Sequence, residues 1–132
     1  MIKGIGNDIV ELERIDHILK SAAGQRFVQR VLTERELERL SAHPYRRIEF
    51  AAGRFAAKEA VAKALGCGIG AKLGFQDIEI IPNVQGKPEC LISSIARQQL
   101  SLTELDRIHV SITHGRLSAV AVAIWELADM RI

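Results

Sequence analysis

Aromatic side chains are scarce in this chain of 132 residues, which contains four Phe, one Trp and one Tyr, or 5% aromatic residues. Hydrophobic residues still make up 48% and charged residues 26%, which is a globular composition rather than a disordered one. The core must therefore be aliphatic and rich in alanine. Because small side chains bury little area each, we expect oligomerisation to add buried surface. The length suits one domain, which we place at residues 1–132.

Long apolar runs and paired cysteines are also missing. No apolar run approaches the ~20 residues of a membrane span, and the opening MIKGIGNDIV lacks the features of a secretory signal. The two cysteines, Cys67 and Cys90, show no CxxC spacing, and four scattered histidines do not suggest a closed zinc site. We expect a reduced, cytoplasmic protein that does not bind a membrane.

The net charge is only +2, with a pI of about 8.7, which is too mild to indicate a nucleic-acid partner. The arginines are nevertheless concentrated in the first half of the chain, between Arg14 and Arg54. This segment also contains Arg26, Arg30, Arg35, Arg39, Arg46 and Arg47. One interpretation is that these are solvated helix faces. The other is a surface for an acidic partner or for phosphates.

Apolar residues recur at helical spacing through much of the first half. The predicted helices run from Leu12 to a stop near Ser21–Gly24, across Phe27 to Leu32, from a capping box at Thr33 to Leu40, and from Tyr45 to Leu65. The last of these is dense in alanine, the best helix former. Gly66 stands where a C-terminal cap is expected.

Alternating patterns predict strands at residues 2–9, 77–81, 89–92 and 107–113, with a further helix at 93–105. The final strand, SAVAVAIWEL, is apolar on both faces. That pattern is typical of a strand buried in a sheet or at an oligomer interface. The elements together predict an α+β fold in which helices pack with an antiparallel sheet.

The first candidate for chemistry is Asp8, which follows Gly4 and Gly6 on one face of the predicted first strand. An aspartate at a strand end suits a hard cation, and the two glycines would let a ligand or another backbone come close. The alternative is an ordinary aspartate that caps the helix beginning near Val10 or Glu11.

The second candidate is the segment RFAAKEAVAK, in which Glu59 and Lys63 are four residues apart and share a helix face with Phe55. These residues form either a surface ion pair or a functional pair, with Glu59 on a metal and Lys63 on a phosphate. A third candidate is His114, at the end of the strand RIHVSIT; it is either a turn histidine or a functional one.

Four segments occur in order along the chain: GIGNDIVEL, GRFAAKEAVAKALGCGIG, FQDIEI and HVSITH. With them the chain resembles the holo-acyl-carrier-protein synthases, the short, single-domain class of 4′-phosphopantetheinyl transferases, over essentially its whole length. The resemblance implies transfer of 4′-phosphopantetheine from coenzyme A to a serine of apo acyl carrier protein, a step of fatty acid biosynthesis. It also implies a magnesium cofactor and a homotrimer with sites at subunit interfaces.

The resemblance further implies roles for individual residues. Asp8 and Glu59 would hold Mg²⁺, and Lys63 would contact phosphate oxygens. The coenzyme A contacts would be Arg54, Lys63, Gly66 and His114. Docking of the acidic carrier protein would fall to Arg14, Ile18, Arg26, Phe27 and Arg30. The base that takes the serine proton stays open between Glu59, Asp8 and a metal-bound hydroxide.

Two alternatives remain at this point. A broader phosphopantetheinyl transferase for polyketide or peptide synthases would resemble two copies of this unit and run to nearly twice the length. A binding module that holds coenzyme A or an acidic partner without turnover would be expected to have lost Asp8, Glu59 or Lys63. All three residues are present.

Overall fold

The computed structural model describes residues 1–129 and shows an α+β fold. Its helices are α1 (Leu12–Lys20), α2 (Gly24–Val31), α3 (Glu34–Ala42), α4 (Arg47–Ala64) and α5 (Ser94–Gln99). Its strands are β1 (Ile2–Glu11), β2 (Ile78–Pro82), β3 (Pro88–Ile92), β4 (Asp106–His114) and β5 (Ser118–Leu127). Short 3₁₀ turns cover Pro44–Arg46 and Phe75–Asp77.

The strands pair in antiparallel fashion in two separate sheets. The larger sheet has the order β1-β5-β4, and β2 pairs with β3 in a hairpin. The expectation that SAVAVAIWEL lies inside a sheet is confirmed, because β5 is the central strand. Its residues Ala119, Ala121 and Ala123 are fully buried.

The long helix α4 packs across all three strands of the larger sheet. Its buried positions are mostly alanine, including Ala52, Ala56, Ala57 and Ala60, none of which has exposed surface. An alanine surface lets the helix backbone approach the sheet closely. The prediction of an aliphatic, alanine-rich core is therefore confirmed.

Two predicted helix boundaries were wrong. The helix expected from Tyr45 begins at Arg47, because Pro44 starts a 3₁₀ turn before it. The helix expected over residues 93–105 ends at Gln99. There Leu102 N–H donates to Arg97 O and Ser101 adopts a φ of 57°, so the chain leaves the helix in a Schellman motif. The sequence did not predict this helix end because a serine occupies the position at which glycine usually marks it.

The capping box predicted at Thr33 is confirmed. The Thr33 side chain accepts from Glu36 N–H, and Thr33 N–H donates to Glu36 Oε1 at 2.8 Å. Glu36 is also fully buried and forms an ion pair with Lys58 of α4. The buried ion pair gives no helical or strand periodicity signal, and the sequence did not predict it.

The face of the larger sheet opposite α4 carries an apolar surface along β1 and β5. Ile5 is 69% exposed and Ile9 is 66% exposed, and their partners across the ladder are Ile124 and Val120. Within residues 1–129 no element packs over these side chains. The same described part contains no helix that is both long enough and apolar enough to cross a membrane.

Candidate active site

Gly4 and Gly6 set the distance between β1 and α4. A Cβ atom on Gly6 would clash with the backbone oxygen of Ala60, and one on Gly4 would clash with that of Ala64. The sequence left open whether these glycines admit a ligand or another backbone, and the structure shows that they admit the backbone of α4. The same face of β1 then presents Asp8 to this helix.

Lys63 of α4 reaches across to β1. Its ammonium donates to Asp8 Oδ1 at 3.0 Å and to the carbonyl oxygen of Asn7 at 3.0 Å. The interpretation of Asp8 as the N-cap residue of α1 was wrong. The N-cap position is occupied by Glu11, whose side chain makes no capping hydrogen bond. The interpretation of Glu59 and Lys63 as a surface ion pair was wrong as well, since among residues 1–129 the ion-pair partner of Lys63 is Asp8.

Glu59 lies one helical turn before Lys63 and beside the carboxylate of Asp8. Burial raises the pKa of the Glu59 carboxyl, and the negative charge of Asp8 raises it further, whereas Lys63 and Arg14 act in the opposite direction. Two carboxylates in one place repel each other, and a cation bound between them would relieve that repulsion.

The donor set fits magnesium better than a metal held entirely by the protein. No cluster of three or more His, Cys, Asp or Glu side chains suited to a metal occurs in the described residues 1–129. Mg²⁺ is usually held by one or two carboxylates and keeps its other positions for water and substrate phosphates. Asp8 and Glu59 provide two hard oxygen donors of this kind.

A row of three aromatic rings extends from this carboxylate pair. Phe55, on the same face of α4 as Glu59, stands between Phe27 at 5.9 Å and Phe75 at 5.6 Å between ring centroids. We call Phe27, Phe55 and Phe75 the aromatic row. Arg14 lies over Phe55 at 5.8 Å, and Arg30 lies over Phe75 at 5.9 Å.

The five residues predicted to dock the carrier protein therefore fall in one region. Phe27 belongs to the aromatic row, and Arg14 and Arg30 lie over two of its rings. Ile18 is half-buried one turn after Arg14 on α1, and Arg26 is exposed on α2 beside Phe27. The region combines arginine charge with apolar surface and borders Glu59.

A second group of residues lies in a cleft of about 320 Å³ between α3, α4 and the β2–β3 turn. Arg54 and His114, two of the four predicted coenzyme A contacts, both line it. Arg54 is largely buried, stacks on Phe50 at 4.3 Å and donates from Nε to the carbonyl of Ile80 at 3.2 Å. Burial lowers the pKa of Arg54, although the charge of Glu36 opposes that effect.

The cleft is also lined by two arginines and a histidine that the sequence analysis did not single out as site residues, and by the acidic Glu49. Arg39, Arg46 and His43 line it together with Arg54 and His114. The concentration of arginines in the first half of the chain was the only signal for them. His114 is held at the rim, where its Nε2 lies 3.0 Å from the carbonyl oxygen of Glu49.

One chain does not bring all the predicted site residues together. Arg54 and Glu59 are five positions apart on α4 and so point about 140° apart around the helix axis. Gly66, with a φ of +75°, follows the C-terminus of α4 next to Lys63. Asp8, Glu59, Lys63 and Gly66 therefore form one group, and Arg54 and His114 form another on a different side of α4.

Comparison with known proteins identifies the family of this chain. Residues 4–123 match the family model of the 4′-phosphopantetheinyl transferase superfamily. The chain belongs to this superfamily. It is similar to the holo-[acyl-carrier-protein] synthase of Geobacillus kaustophilus, with 50% identity over 127 residues that cover 96% of this chain and 90% of that protein. The corresponding protein of Listeria monocytogenes is 43% identical over 128 residues, which cover 96% and 100% of the two chains.

Solved structures of this transferase superfamily have the same fold. The holo-[acyl-carrier-protein] synthase of Neisseria meningitidis superposes with a TM-score of 0.87 and 36% identity, covering 96% of this chain and 99% of that one. The Bacillus anthracis holo-(acyl-carrier-protein) synthase, in complex with CoA (3′,5′-ADP), has a TM-score of 0.80 and 40% identity. In that pair 97% of this chain and 99% of the other are covered.

Proposed function

We propose that this chain transfers 4′-phosphopantetheine from coenzyme A to a serine hydroxyl of apo acyl carrier protein, with release of adenosine 3′,5′-bisphosphate. The observation that carries the proposal is the meeting of Asp8, Glu59 and Lys63 where β1 and α4 touch. Two carboxylates and an ammonium suit a reaction at a charged phosphate. The close relatives that carry the name holo-[acyl-carrier-protein] synthase support the choice of substrates.

Asp8 and Glu59 are the proposed ligands of Mg²⁺. When bound there, the ion would neutralise charge on the coenzyme A phosphates and on the departing bisphosphate. The ammonium of Lys63 is held beside the two carboxylates by its hydrogen bonds to Asp8 and to Asn7 O. From that position it can donate to a phosphate oxygen and stabilise the charge that develops during transfer.

The cleft lined by Arg54 and His114 is the proposed site for the nucleotide part of coenzyme A. Arg54 is held rigid by Phe50 and by the Ile80 carbonyl, so its remaining N–H groups are available for a phosphate. Arg39 and Arg46 add further donors around the same cleft, and the protonated form of the His114 ring would add one from Nδ1. The coenzyme A complexes of the Bacillus anthracis and Helicobacter pylori synthases support this ligand class.

A homotrimer is the assembly we propose for these sites. The apolar side chains of Ile5, Ile9 and Val120 on the outer sheet face would become buried between subunits. A head-to-tail contact joins different surfaces of neighbouring subunits and closes into a ring. Such a contact can place the Asp8–Glu59–Lys63 group of one subunit against the Arg54–His114 cleft of the next.

The carrier protein is proposed to dock on the aromatic row and its arginines. Arg14 and Arg30 offer positive charge to an acidic helix, while Phe27 and Ile18 offer apolar contact. Charge of this kind steers association and selects partners more than it adds affinity. The two cysteines are free thiols.

The test is the intact mass of apo acyl carrier protein after incubation with this protein, coenzyme A and Mg²⁺. We expect a gain of about 340 Da, the mass of one phosphopantetheine, and we expect EDTA to abolish it. Glu59→Gln should also abolish the gain, whereas Glu13→Gln, at an exposed position of α1, should retain it. Retained coenzyme A binding without any mass gain in the unmodified protein would favour the binding module instead.

A further inference from the structure

The segment FQDIEI, one of those that carry the family resemblance, includes Gln76, which has no role in the site described so far. Its first residues form the 3₁₀ turn Phe75–Asp77. Phe75 belongs to the aromatic row, and Ile78 and Ile80 are fully buried. Gln76 follows Phe75 in this turn and is exposed, so burial in the core does not explain the glutamine at this position.

The Gln76 side chain reaches the end of α2. Its Nε2 donates to the carbonyl oxygens of Gln29 at 2.8 Å and Leu32 at 2.7 Å, and lies 3.3 Å from that of Arg30. The last carbonyls of a helix have no partner within the helix and need one from elsewhere. A single amide group from a distant turn therefore supplies most of the C-terminal cap of α2.

The remaining carbonyls at this helix end are also satisfied. Val28 O accepts from Leu32 N–H, and Val31 O accepts from the buried Lys58 ammonium at 2.6 Å. Helix α2 has only eight residues, Gly24–Val31, and helices of that length are not stable alone. Its position therefore depends on contacts with the rest of the fold, which are the burial of Val28 and Val31 and the hydrogen bonds from Lys58 and Gln76.

The turn that carries Gln76 is itself firmly held. Asp77 accepts from Gly74 N–H at 2.8 Å and from the Ser93 hydroxyl at 2.6 Å. Ser93 N–H donates in turn to Asp77 O at 2.8 Å. Gln76 thus connects this hydrogen-bonded turn to a short helix that bears the exposed Arg26 and Arg30 and the half-buried Phe27.

We propose that Gln76 is a positioning residue for the carrier protein: by capping α2 it holds Phe27 and Arg30 in the arrangement that an acidic partner helix meets. The inference rests on the proposed function, because it assigns α2 to carrier docking. Gln76 lies outside both the Asp8–Glu59–Lys63 group and the Arg54–His114 cleft. Its loss should therefore weaken carrier recognition and leave the chemical step intact.

The test compares Gln76→Met with the unmodified protein and with Gln98→Met. Methionine keeps the length and neutrality of glutamine but has no N–H donor. Gln98 is an exposed glutamine on α5 and serves as the matched control. We expect Gln76→Met to raise KM for apo carrier protein about three- to tenfold, equivalent to losing one or two hydrogen bonds. Its KM for coenzyme A and its kcat should match those of the control.

Hydrogen exchange gives a second readout that does not depend on turnover. Amides of α2 should exchange faster in Gln76→Met, while those in the middle of α4 should be unchanged. An unchanged KM for carrier protein, an equal rise in both KM values, or unchanged exchange in α2 would each overturn the proposal. If the unmodified protein transfers nothing, the proposed function itself fails, and exchange still reports whether Gln76 orders α2.

Discussion

Lys58 and Glu36 form an ion pair at 2.6 Å in which neither side chain has exposed surface. The Lys58 ammonium uses its other two protons on the carbonyls of Val31 and Phe75. Glu36 accepts in addition from two backbone amides. Both charges are therefore fully hydrogen-bonded, which is the condition under which a buried ion pair persists.

Removal of one partner should be costly. In Lys58→Met the Glu36 carboxylate stays buried without its cation, and we expect a loss of about 3–5 kcal/mol in the free energy of unfolding. Urea denaturation measures it. Lys63→Met is the matched control, since that ion pair is half exposed and should contribute less than about 1 kcal/mol. Equal losses in the two variants would contradict the role given to Lys58.

The close contact of β1 and α4 predicts a second stability effect. Gly6→Ala would place a Cβ against the backbone oxygen of Ala60, and neither backbone can yield without moving an element. We expect a loss of about 3 kcal/mol or more in thermal or urea unfolding. Gly70→Ala, where a Cβ meets open space, should stay within about 0.5 kcal/mol of the unmodified protein. A tolerated Gly6→Ala would mean that the glycine serves something other than this contact.

A third prediction concerns pH and Asp106. Burial alone would raise the pKa of this carboxyl, but hydrogen bonds from Thr103 N–H at 2.9 Å and Trp125 Nε1 at 2.8 Å lower it below its ordinary value. A group whose folded-state pKa is lowered stabilises the fold above its ordinary pKa. That stabilisation is lost as the pH falls below about 4.

Asp106→Asn should therefore cost about 1–3 kcal/mol at pH 7 and less at pH 3, because the carboxylate that these hydrogen bonds stabilise begins to take up protons below about pH 4. Urea unfolding at the two pH values measures the difference. Asp16→Asn loses only an exposed i,i+4 ion pair with Lys20, so it should change the free energy of unfolding little at either pH. A constant cost for Asp106→Asn across this range would contradict the assignment.

The proposed docking of the carrier protein predicts a selective kinetic effect at Arg14. Arg14→Glu should raise KM for the acidic carrier protein more than tenfold, a change of about 1.4 kcal/mol or more, and leave KM for coenzyme A nearly unchanged. The effect should shrink as salt is added. Arg107→Glu, an exposed arginine on β4, is the control with the same charge change. Equal effects of Arg14→Glu on both substrates would count against this docking surface.

The proposed placement of the site between the subunits of a trimer predicts that two inactive variants complement each other. One carries Lys63→Ala, and the other carries Arg46→Ala with His114→Ala. In mixed trimers from co-expression, about one quarter of the sites would combine two intact halves, so transfer should reappear at roughly that level. Mixed oligomers that stay inactive would show that each site is built within one subunit.

Local signals predicted much of this molecule well. The capping box at Thr33, the alanine-rich α4 and the doubly apolar β5 follow from residues within one element, and the structure confirms all three. The end of α5 was missed because Ser101 takes the left-handed conformation that glycine normally marks. The pairing of Asp8 with Lys63 was also missed, because it depends on how β1 lies against α4 rather than on helical spacing.

The order of residues along the chain was sufficient to identify the elements, the aliphatic core and the residue types that can serve phosphate chemistry. Only the packed structure decided which of them meet. It brought Asp8 to Glu59 and Lys63, buried Lys58 against Glu36, and placed Arg54 with His114 on another side of the same helix. The physical reason is that spacing along one element determines a side chain's direction, whereas its partners depend on distant contacts made when elements pack.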